Sequence, residues 1–173
     1  YVDVEIDRYL QEMDLGALDG LIMTMKADDP KWSFVGVEDG IVKEVVEKEV
    51  ISDEATVGIY NFKTGSDFVR AADEMIKKNF RVNGEFYVAP VYGELIRINK
   101  QIGIFNVGEV SNGMHGLGTP DDLEIFLGSP ACENATKALT LLSSKAGPVV
   151  SSSCAIFWAT SGACHGKSVS GLI

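Results

Sequence analysis

A glutamate and a lysine stand side by side at the end of an apolar strand pattern, at Glu47 and Lys48. A lysine ammonium is a compact point charge that suits a phosphate oxygen, and a carboxylate suits the hydroxyl groups of a sugar. If the strand continues, adjacent residues point to opposite faces, so that one side chain can face a pocket while the other faces the structure. The pair therefore fits a sugar phosphate, and a solvated strand end is the alternative.

Two further segments offer groups for the same kind of ligand. Gly58 lies inside a strand pattern, where a glycine marks a bulge or a close approach of a ligand to the backbone, and Tyr60 follows on the same face. Asn83 and Glu85 supply donor and acceptor groups for hydroxyls. Ordinary sheet packing is the alternative for the first segment, and a simple Asn-Gly turn is the alternative for the second.

A glycine-rich turn leads into a helix start after Met114. Thr119 has the position of an N-cap and Pro120 that of the first helical residue, and backbone N–H groups at such a start can bind an anion. His115 within this turn is a candidate catalytic residue, with a surface or hydrogen-bonded core histidine as the alternative.

The elements that must position these groups alternate between strand and helix patterns. Strands are predicted at residues 21–25, 32–37, 41–46, 57–62 and 102–107, and helices at residues 66–78, at 88–99 and from Thr119 onward. Asp39-Gly40 is a strong hairpin signal between two of the strands. The pattern predicts a mixed α/β layer architecture with sites at strand ends. The chain also begins within what reads as a strand pattern, at Tyr1 rather than Met, which suggests a piece of a longer protein.

The amino-acid composition limits the classes of molecule that the chain is expected to bind. The 173 residues carry a net charge of −10, which argues against a nucleic-acid backbone and favours a small molecule. Three cysteines without Cys-x-x-Cys spacing indicate neither a disulfide framework nor a zinc site, so a reducing cytoplasm is expected. No apolar run is long enough to predict a membrane span.

A change in composition at Gly128-Ser129-Pro130 predicts a domain boundary, with one domain over residues 1–127 and an irregular tail over residues 128–173. Within the tail, the run from Ser161 to Ser168 ends in Gly-Lys-Ser and has the layout of a phosphate loop. Its first glycine is replaced by Ser161, so a degenerate or truncated phosphate loop and a tail without such a function are both open.

Taken together and in this order, the segments resemble one family. These are Pro30-Lys31-Trp32-Ser33-Phe34, Glu47-Lys48, Ala55-Thr56-Val57-Gly58-Ile59-Tyr60, Asn83-Gly84-Glu85-Phe86-Tyr87-Val88-Ala89-Pro90 and Gly116-Leu117-Gly118-Thr119-Pro120-Asp121-Asp122-Leu123. They look like the C-terminal half of a sugar-phosphate nucleotidyltransferase, of the surface-polysaccharide branch related to glucose-1-phosphate thymidylyltransferases. The resemblance covers about Leu21 to Leu127 and implies a Rossmann-like, GT-A-like mixed sheet with flanking helices.

The resemblance implies transfer of an NMP group from an NTP to a sugar 1-phosphate, which gives an NDP-sugar and pyrophosphate. Lys48 then corresponds to the lysine that holds the sugar phosphate, and Glu47 to the acid that binds sugar hydroxyls. Gly58 and Tyr60 fall on the sugar-facing strand, and Glu85 falls in the segment that closes the sugar pocket.

Three departures from the family pattern stand out. The glycine-rich nucleotide loop would lie upstream of the chain. Asn83 stands where many relatives have a phosphate-clamping arginine. Mg²⁺ is the implied cofactor, yet Gly116 occupies the position of a metal-binding aspartate. Either the metal is held differently, or Asp121 or Asp122 serves in its place, and these alternatives are open. A non-catalytic sugar-phosphate-binding module and a nucleotidyltransferase fused to a phosphate-loop kinase are the other hypotheses.

Overall fold

The computed structural model describes residues 1–135 of the chain. In chain order, the helices and strands are α1 (Ile6–Leu15), β1 (Gly20–Lys26), β2 (Ser33–Glu38), β3 (Ile41–Glu47), β4 (Glu54–Phe62), α2 (Gly65–Lys77), α3 (Val91–Arg97), β5 (Ile102–Val110), β6 (Gly113–Met114) and α4 (Pro120–Leu127).

The sheet is mixed, and β1 lies at its centre. This strand runs antiparallel to β4 and parallel to β5. Strands β2 and β3 form a hairpin that meets β4 through the pair Phe34 and Ala55 and meets β5 through the pair Ile41 and Gly103. The short β6 continues the sheet beside β5. The predicted mixed α/β architecture is confirmed, with helices packed on the sheet.

Alternation along β1 divides the core between two faces, because successive strand side chains point to opposite sides. Leu21 packs with Tyr9 of α1 on one face. Ile22 packs on the other face, in the cluster that contains Met75 of α2 and Leu95 of α3. Helix α1 on one face, and α2 and α3 on the other, therefore cover the apolar side chains of β1.

Local signals explain where several elements begin and turn. Asp39 and Gly40 both have positive φ, 51° and 76°, as a two-residue hairpin turn of the predicted kind requires. Thr119 accepts a hydrogen bond from the backbone N–H of Asp122 at 3.2 Å, and Pro120 opens α4, as predicted. These parts of the fold follow from residues next to one another in sequence.

The strand pattern predicted at the start of the chain is wrong. Residues 1–5 contain an isolated bridge between Val2 and Met114, and helix α1 follows. Tyr9, Leu10 and Met13 recur at helical spacing and pack in the cluster under β1. That spacing was the signal for a helix, and the alternation of the first five residues concealed it.

The predicted helix over residues 88–99 is shorter in the structure. Pro90 is its N-cap and Ile98 its C-cap, so α3 covers Val91–Arg97. A residue before proline is disfavoured in the helical region, which explains why residues 88 and 89 stay outside. Strand β5 in turn extends past the predicted end at residue 107 to Val110, and β6 was not predicted.

The predicted domain division coincides with a helix end, because α4 ends at Leu127 and Gly128 is its C-cap. The division itself stays a prediction. The expectation of an irregular tail is wrong for its described part, because residues 130–135 are helical. Residues 136–173, including the phosphate-loop-like run from Ser161 to Ser168, lie outside the described residues. Within residues 1–135, no helix combines the length and the apolar character needed to cross a bilayer.

Candidate functional site

Glu47 is a buried carboxylate at the last position of β3. It pairs across the hairpin with Ser33, whose hydroxyl donates a hydrogen bond to Glu47 Oε2. Only 8% of Glu47 and 7% of Ser33 are exposed. Burial raises the pKa of Glu47, and the Ser33 hydrogen bond and the Lys48 charge oppose that shift. The pair thus provides an acceptor with a fixed orientation, which suits recognition of a hydroxyl group.

Tyr60 joins the same polar cluster through its hydroxyl group. This group lies 2.9 Å from Thr56 Oγ1 and also interacts with Ser33. Burial raises the pKa of Tyr60 to about 12, so its hydroxyl stays protonated well into alkaline pH. The cluster of Ser33, Glu47, Thr56 and Tyr60 is called the carboxylate cluster below.

The strand irregularity predicted at Gly58 is present. Gly58 has φ of 83°, and the register with β1 shifts between the pairs of Ile22 with Tyr60 and of Thr24 with Thr56. Three residues of β4 therefore stand opposite one residue of β1. This bulge brings Thr56 and Tyr60 closer along the strand than regular pairing would, which allows their hydroxyls to bond.

Lys48 lies outside the strand rather than on its opposite face. Its φ of 58° turns the chain immediately after β3, so the strand does not continue through Lys48 and the condition for opposite faces is not met. Lys48 Nζ donates to the Tyr87 hydroxyl at 2.8 Å and lies 4.8 Å from the centre of that ring. The Tyr87 hydrogen bond raises the pKa of Lys48, so the side chain is a charged ammonium at neutral pH.

Glu85 completes this second group of side chains. The Tyr87 hydroxyl donates to Glu85 Oε2 at 2.7 Å, so a tyrosine hydroxyl links the lysine to a carboxylate. Lys48, Tyr87 and Glu85 are called the lysine cluster below. Lys48 follows Glu47 in the chain, so the two clusters are neighbours at one end of the hairpin.

Asn83 lies in a tight turn next to the lysine cluster. Asn83 and Gly84 have φ of 50° and 83°, and Val82 and Glu85 exchange two backbone hydrogen bonds of 3.0 Å on either side. Arg81 braces the turn, since it donates to the Gly84 carbonyl at 2.9 Å. The exposed Asn83 therefore has a clear role as a turn residue, and its predicted contact with substrate stays a prediction.

The glycine-rich turn before α4 is occupied by contacts within the chain. His115 is 8% exposed, and its Nε2 lies 2.8 Å from Asp3 Oδ2. Its backbone N–H donates to the Tyr1 carbonyl at 2.8 Å. These contacts fit the core-histidine alternative. Beside it, a Cβ atom placed on Gly116 would lie 3.4 Å from Cγ of Asp122, so that carboxylate lies next to the glycine.

Within residues 1–135, no group of three or more His, Cys, Asp or Glu side chains could hold a metal ion. Ser33, Thr56 and Tyr87 are the site residues that sequence reasoning missed. All three lie inside segments that carry the family resemblance, residues 30–34, 55–60 and 83–90, so their hydroxyl groups in those segments were the available signal.

Comparison with known proteins defines the class of the fold. No protein-family model and no curated protein matches the chain. Among solved structures, it is similar to the nucleoside-diphosphate-sugar pyrophosphorylase from Vibrio cholerae RC9, at 26% identity and a TM-score of 0.61, over 75% of this chain and 51% of that one. It is also similar to a putative glucose-1-phosphate thymidylyltransferase from Bacillus anthracis, at 18% identity and a TM-score of 0.53, over 71% of this chain and 48% of that one.

The chain therefore has the fold of the sugar nucleotidyltransferases. It spans about half the length of the two similar structures. The structure of the Bacillus anthracis protein was determined in complex with sucrose.

Proposed function

We propose that the chain is the sugar-phosphate-binding half of a nucleotidyltransferase that joins an NMP group to a sugar 1-phosphate. A sugar-phosphate oxygen attacks the α-phosphorus of an NTP. The new P–O bond forms as the bond to the bridging oxygen breaks, and pyrophosphate leaves. The juxtaposition of a buried acceptor, Glu47, with the ammonium of Lys48 carries this proposal, since one ligand with hydroxyls and a phosphate satisfies both.

The carboxylate cluster supports recognition of sugar hydroxyls. Glu47 is held by Ser33, and the hydroxyls of Thr56 and Tyr60 lie in the same cluster. A buried site whose polar groups bind the hydroxyls of a ligand discriminates strongly against ligands without those hydroxyls, because its polar groups are then left unpaired. This is the behaviour required of an enzyme that selects one sugar.

Lys48 supports recognition of the phosphate. The chain as a whole carries a net charge of −10, so a dianion approaches a surface that repels it in general. A local ammonium with donors free to rotate is therefore needed at the point of contact. Lys48 is half-buried beside a hydroxyl acceptor, and the phosphate oxygens would take its remaining N–H groups.

Mg²⁺ remains the expected ion for the NTP phosphates. Proteins commonly hold it through one or two carboxylates, with phosphate oxygens and waters as the other ligands. Asp122 is the candidate among the described residues because its carboxylate lies beside Gly116. When bound, the ion would neutralise phosphate charge during transfer. We also propose a cytoplasmic location, as the cysteine usage suggests.

The test is pyrophosphate release by the complete protein that contains this chain, with glucose 1-phosphate and each of dTTP, UTP, CTP, GTP and ATP. Lys48→Met is expected to raise the KM for the sugar phosphate by about 10- to 100-fold, the value of one charge-assisted hydrogen bond. Lys43→Met is the matched control, because Lys43 is an exposed lysine on β3, the strand that Lys48 directly follows.

Two outcomes would contradict the proposal. If the wild-type protein released no pyrophosphate with a wide panel of sugar 1-phosphates, the transferase hypothesis would be rejected in favour of a binding module. Equal KM values for the Lys48 and Lys43 variants would remove the phosphate role of Lys48. Residues 1–173 alone are expected to release no pyrophosphate.

A further inference from the structure

Tyr87 lies between two opposite charges in the lysine cluster. Its hydroxyl accepts a hydrogen bond from Lys48 Nζ at 2.8 Å and donates one to Glu85 Oε2 at 2.7 Å. A tyrosine hydroxyl has a single proton, and that proton is directed to the carboxylate. The ammonium and the carboxylate therefore meet through an intervening oxygen.

This arrangement matters because a direct ion pair would compete with a ligand phosphate for Lys48. Glu85 is exposed and lies close enough to contribute to the raised pKa of Lys48. A lysine side chain is long and rotates freely, so nothing in its covalent structure prevents contact with a carboxylate at this range. The Tyr87 hydroxyl occupies the intervening position.

Both partners of the tyrosine are fixed by the backbone around them. Lys48 has a positive φ directly after β3, which sets the direction in which its side chain leaves the chain. Glu85 ends the tight turn that Arg81 braces, with the Arg81 guanidinium 3.9 Å from the centre of the Phe86 ring. The Tyr87 ring also contacts the Lys48 ammonium through its face.

We infer that Tyr87 is a positioning residue for the sugar-phosphate lysine, because its hydroxyl separates Lys48 from Glu85 and keeps the ammonium available to a ligand phosphate. The inference rests on the proposed function for the identity of that ligand. It assigns the tyrosine no contact with the reacting atoms.

The experiment compares Tyr87→Phe, Glu85→Gln and the double variant in the complete protein. Phenylalanine keeps the ring over the ammonium and removes only the hydroxyl. Tyr87→Phe is expected to raise the KM for glucose 1-phosphate by about three- to fivefold, the value of the exposed Lys48–Glu85 ion pair that would then compete with the phosphate. The KM for the NTP is expected to stay within about twofold. Introduced into the Glu85→Gln background, the same change is expected to alter the sugar-phosphate KM by less than about twofold, because the competing charge is gone.

Tyr9→Phe is the matched control. It removes a buried hydroxyl that donates to the Leu21 carbonyl on the other face of the sheet. It is expected to lower the melting temperature with both KM values unchanged. A Tyr87→Phe effect of equal size in both backgrounds would show a merely structural role, and a lowered sugar-phosphate KM would show that the tyrosine blocks the lysine. Either result overturns the inference.

A crystal structure of Tyr87→Phe provides the measurement that does not depend on activity. Lys48 Nζ is expected within about 4 Å of the Glu85 carboxylate, the range of a direct ion pair. If the two groups stay apart, the separating role of the hydroxyl is wrong. If they meet but the wild-type protein releases no pyrophosphate, the proposed function fails and the spacing role stands.

Discussion

Removal of the Ser33 hydroxyl should destabilise the chain through the carboxylate that it supports. Ser33→Ala deletes the donor to Glu47, and both residues are more than nine-tenths buried. A hydrogen bond to a charged group contributes about 1.5–3 kcal/mol, and loss of one partner leaves the other with its desolvation penalty. We expect a loss of about 2 kcal/mol at pH 7, or roughly 4–8 °C in melting temperature.

The loss should also depend on pH, with a sign that follows from the pKa of Glu47. Burial holds that pKa above its unfolded value, so the folded state binds the proton more tightly. The stability contributed by this group is complete below the unfolded pKa and is lost as pH rises through the folded pKa. Since the Ser33 bond lowers the folded pKa, its removal should enlarge that loss, so Ser33→Ala should be milder near pH 4 than at pH 7.

The assay is urea unfolding of the chain at several pH values, with Ser52→Ala as the matched control. Ser52 donates to the Val35 carbonyl at 2.7 Å and accepts from the Glu54 backbone N–H at 3.1 Å, so its partners are uncharged backbone groups. Its removal should cost about 1 kcal/mol at each pH. In a Glu47→Gln background, Ser33→Ala should likewise cost about 1 kcal/mol. The same pH-independent loss from Ser33→Ala in both backgrounds would refute the reasoning.

Three further changes test the packing of other elements. Gly113→Ala should prevent native packing near β6, because the new Cβ would lie 1.6 Å from the Val107 carbonyl oxygen at a φ of 108°. Gly65→Ala is its control, because a Cβ atom there would have no neighbouring atom within 4 Å, and it should change the free energy of unfolding by less than about 1 kcal/mol. Thermal unfolding compares the two variants. Thr64→Ala removes the N-cap of α2 and should cost about 1 kcal/mol in urea unfolding. His115→Gln should lower the melting temperature and leave the kcat for pyrophosphate release within about twofold, because the contacts of His115 are structural; a loss of about a hundredfold would restore its catalytic candidacy.

The register of the β2–β3 hairpin shows where sequence reasoning reached its limit. The Asp39-Gly40 turn is a local signal, and it correctly predicts that Glu38 pairs with Ile41. Counting outward from that pair would place Ser33 opposite Val46. A bulge between Gly36 and Val37 shifts the partner by one residue, to Glu47. A shift of one residue exchanges the two faces of a strand, so the bonded pair of serine and glutamate could not be read from the turn alone.

The lysine cluster was unpredictable for a different reason. Its hydrogen bond joins residues 39 positions apart, and its geometry depends on a positive φ at Lys48. No residue type at that position announces such a turn, because lysine has no special preference for the left-handed region. Helices α2 and α4 could be predicted, because their N-caps are next to them in sequence. The contact between two distant loops could not.

The two clusters are stabilised by different physics, and this should separate the effects of their mutations. Glu47 is oriented by burial within the sheet, so changes around it should alter the free energy of unfolding together with the proposed binding of the sugar. Lys48 is oriented by exposed and half-exposed partners, Tyr87 and Glu85, whose contacts contribute little to folding because water competes for them. Variants of the carboxylate cluster should therefore change melting temperature and affinity in parallel. Variants of the lysine cluster should change affinity at nearly constant stability, which makes that cluster the place where ligand preference can change without loss of the fold.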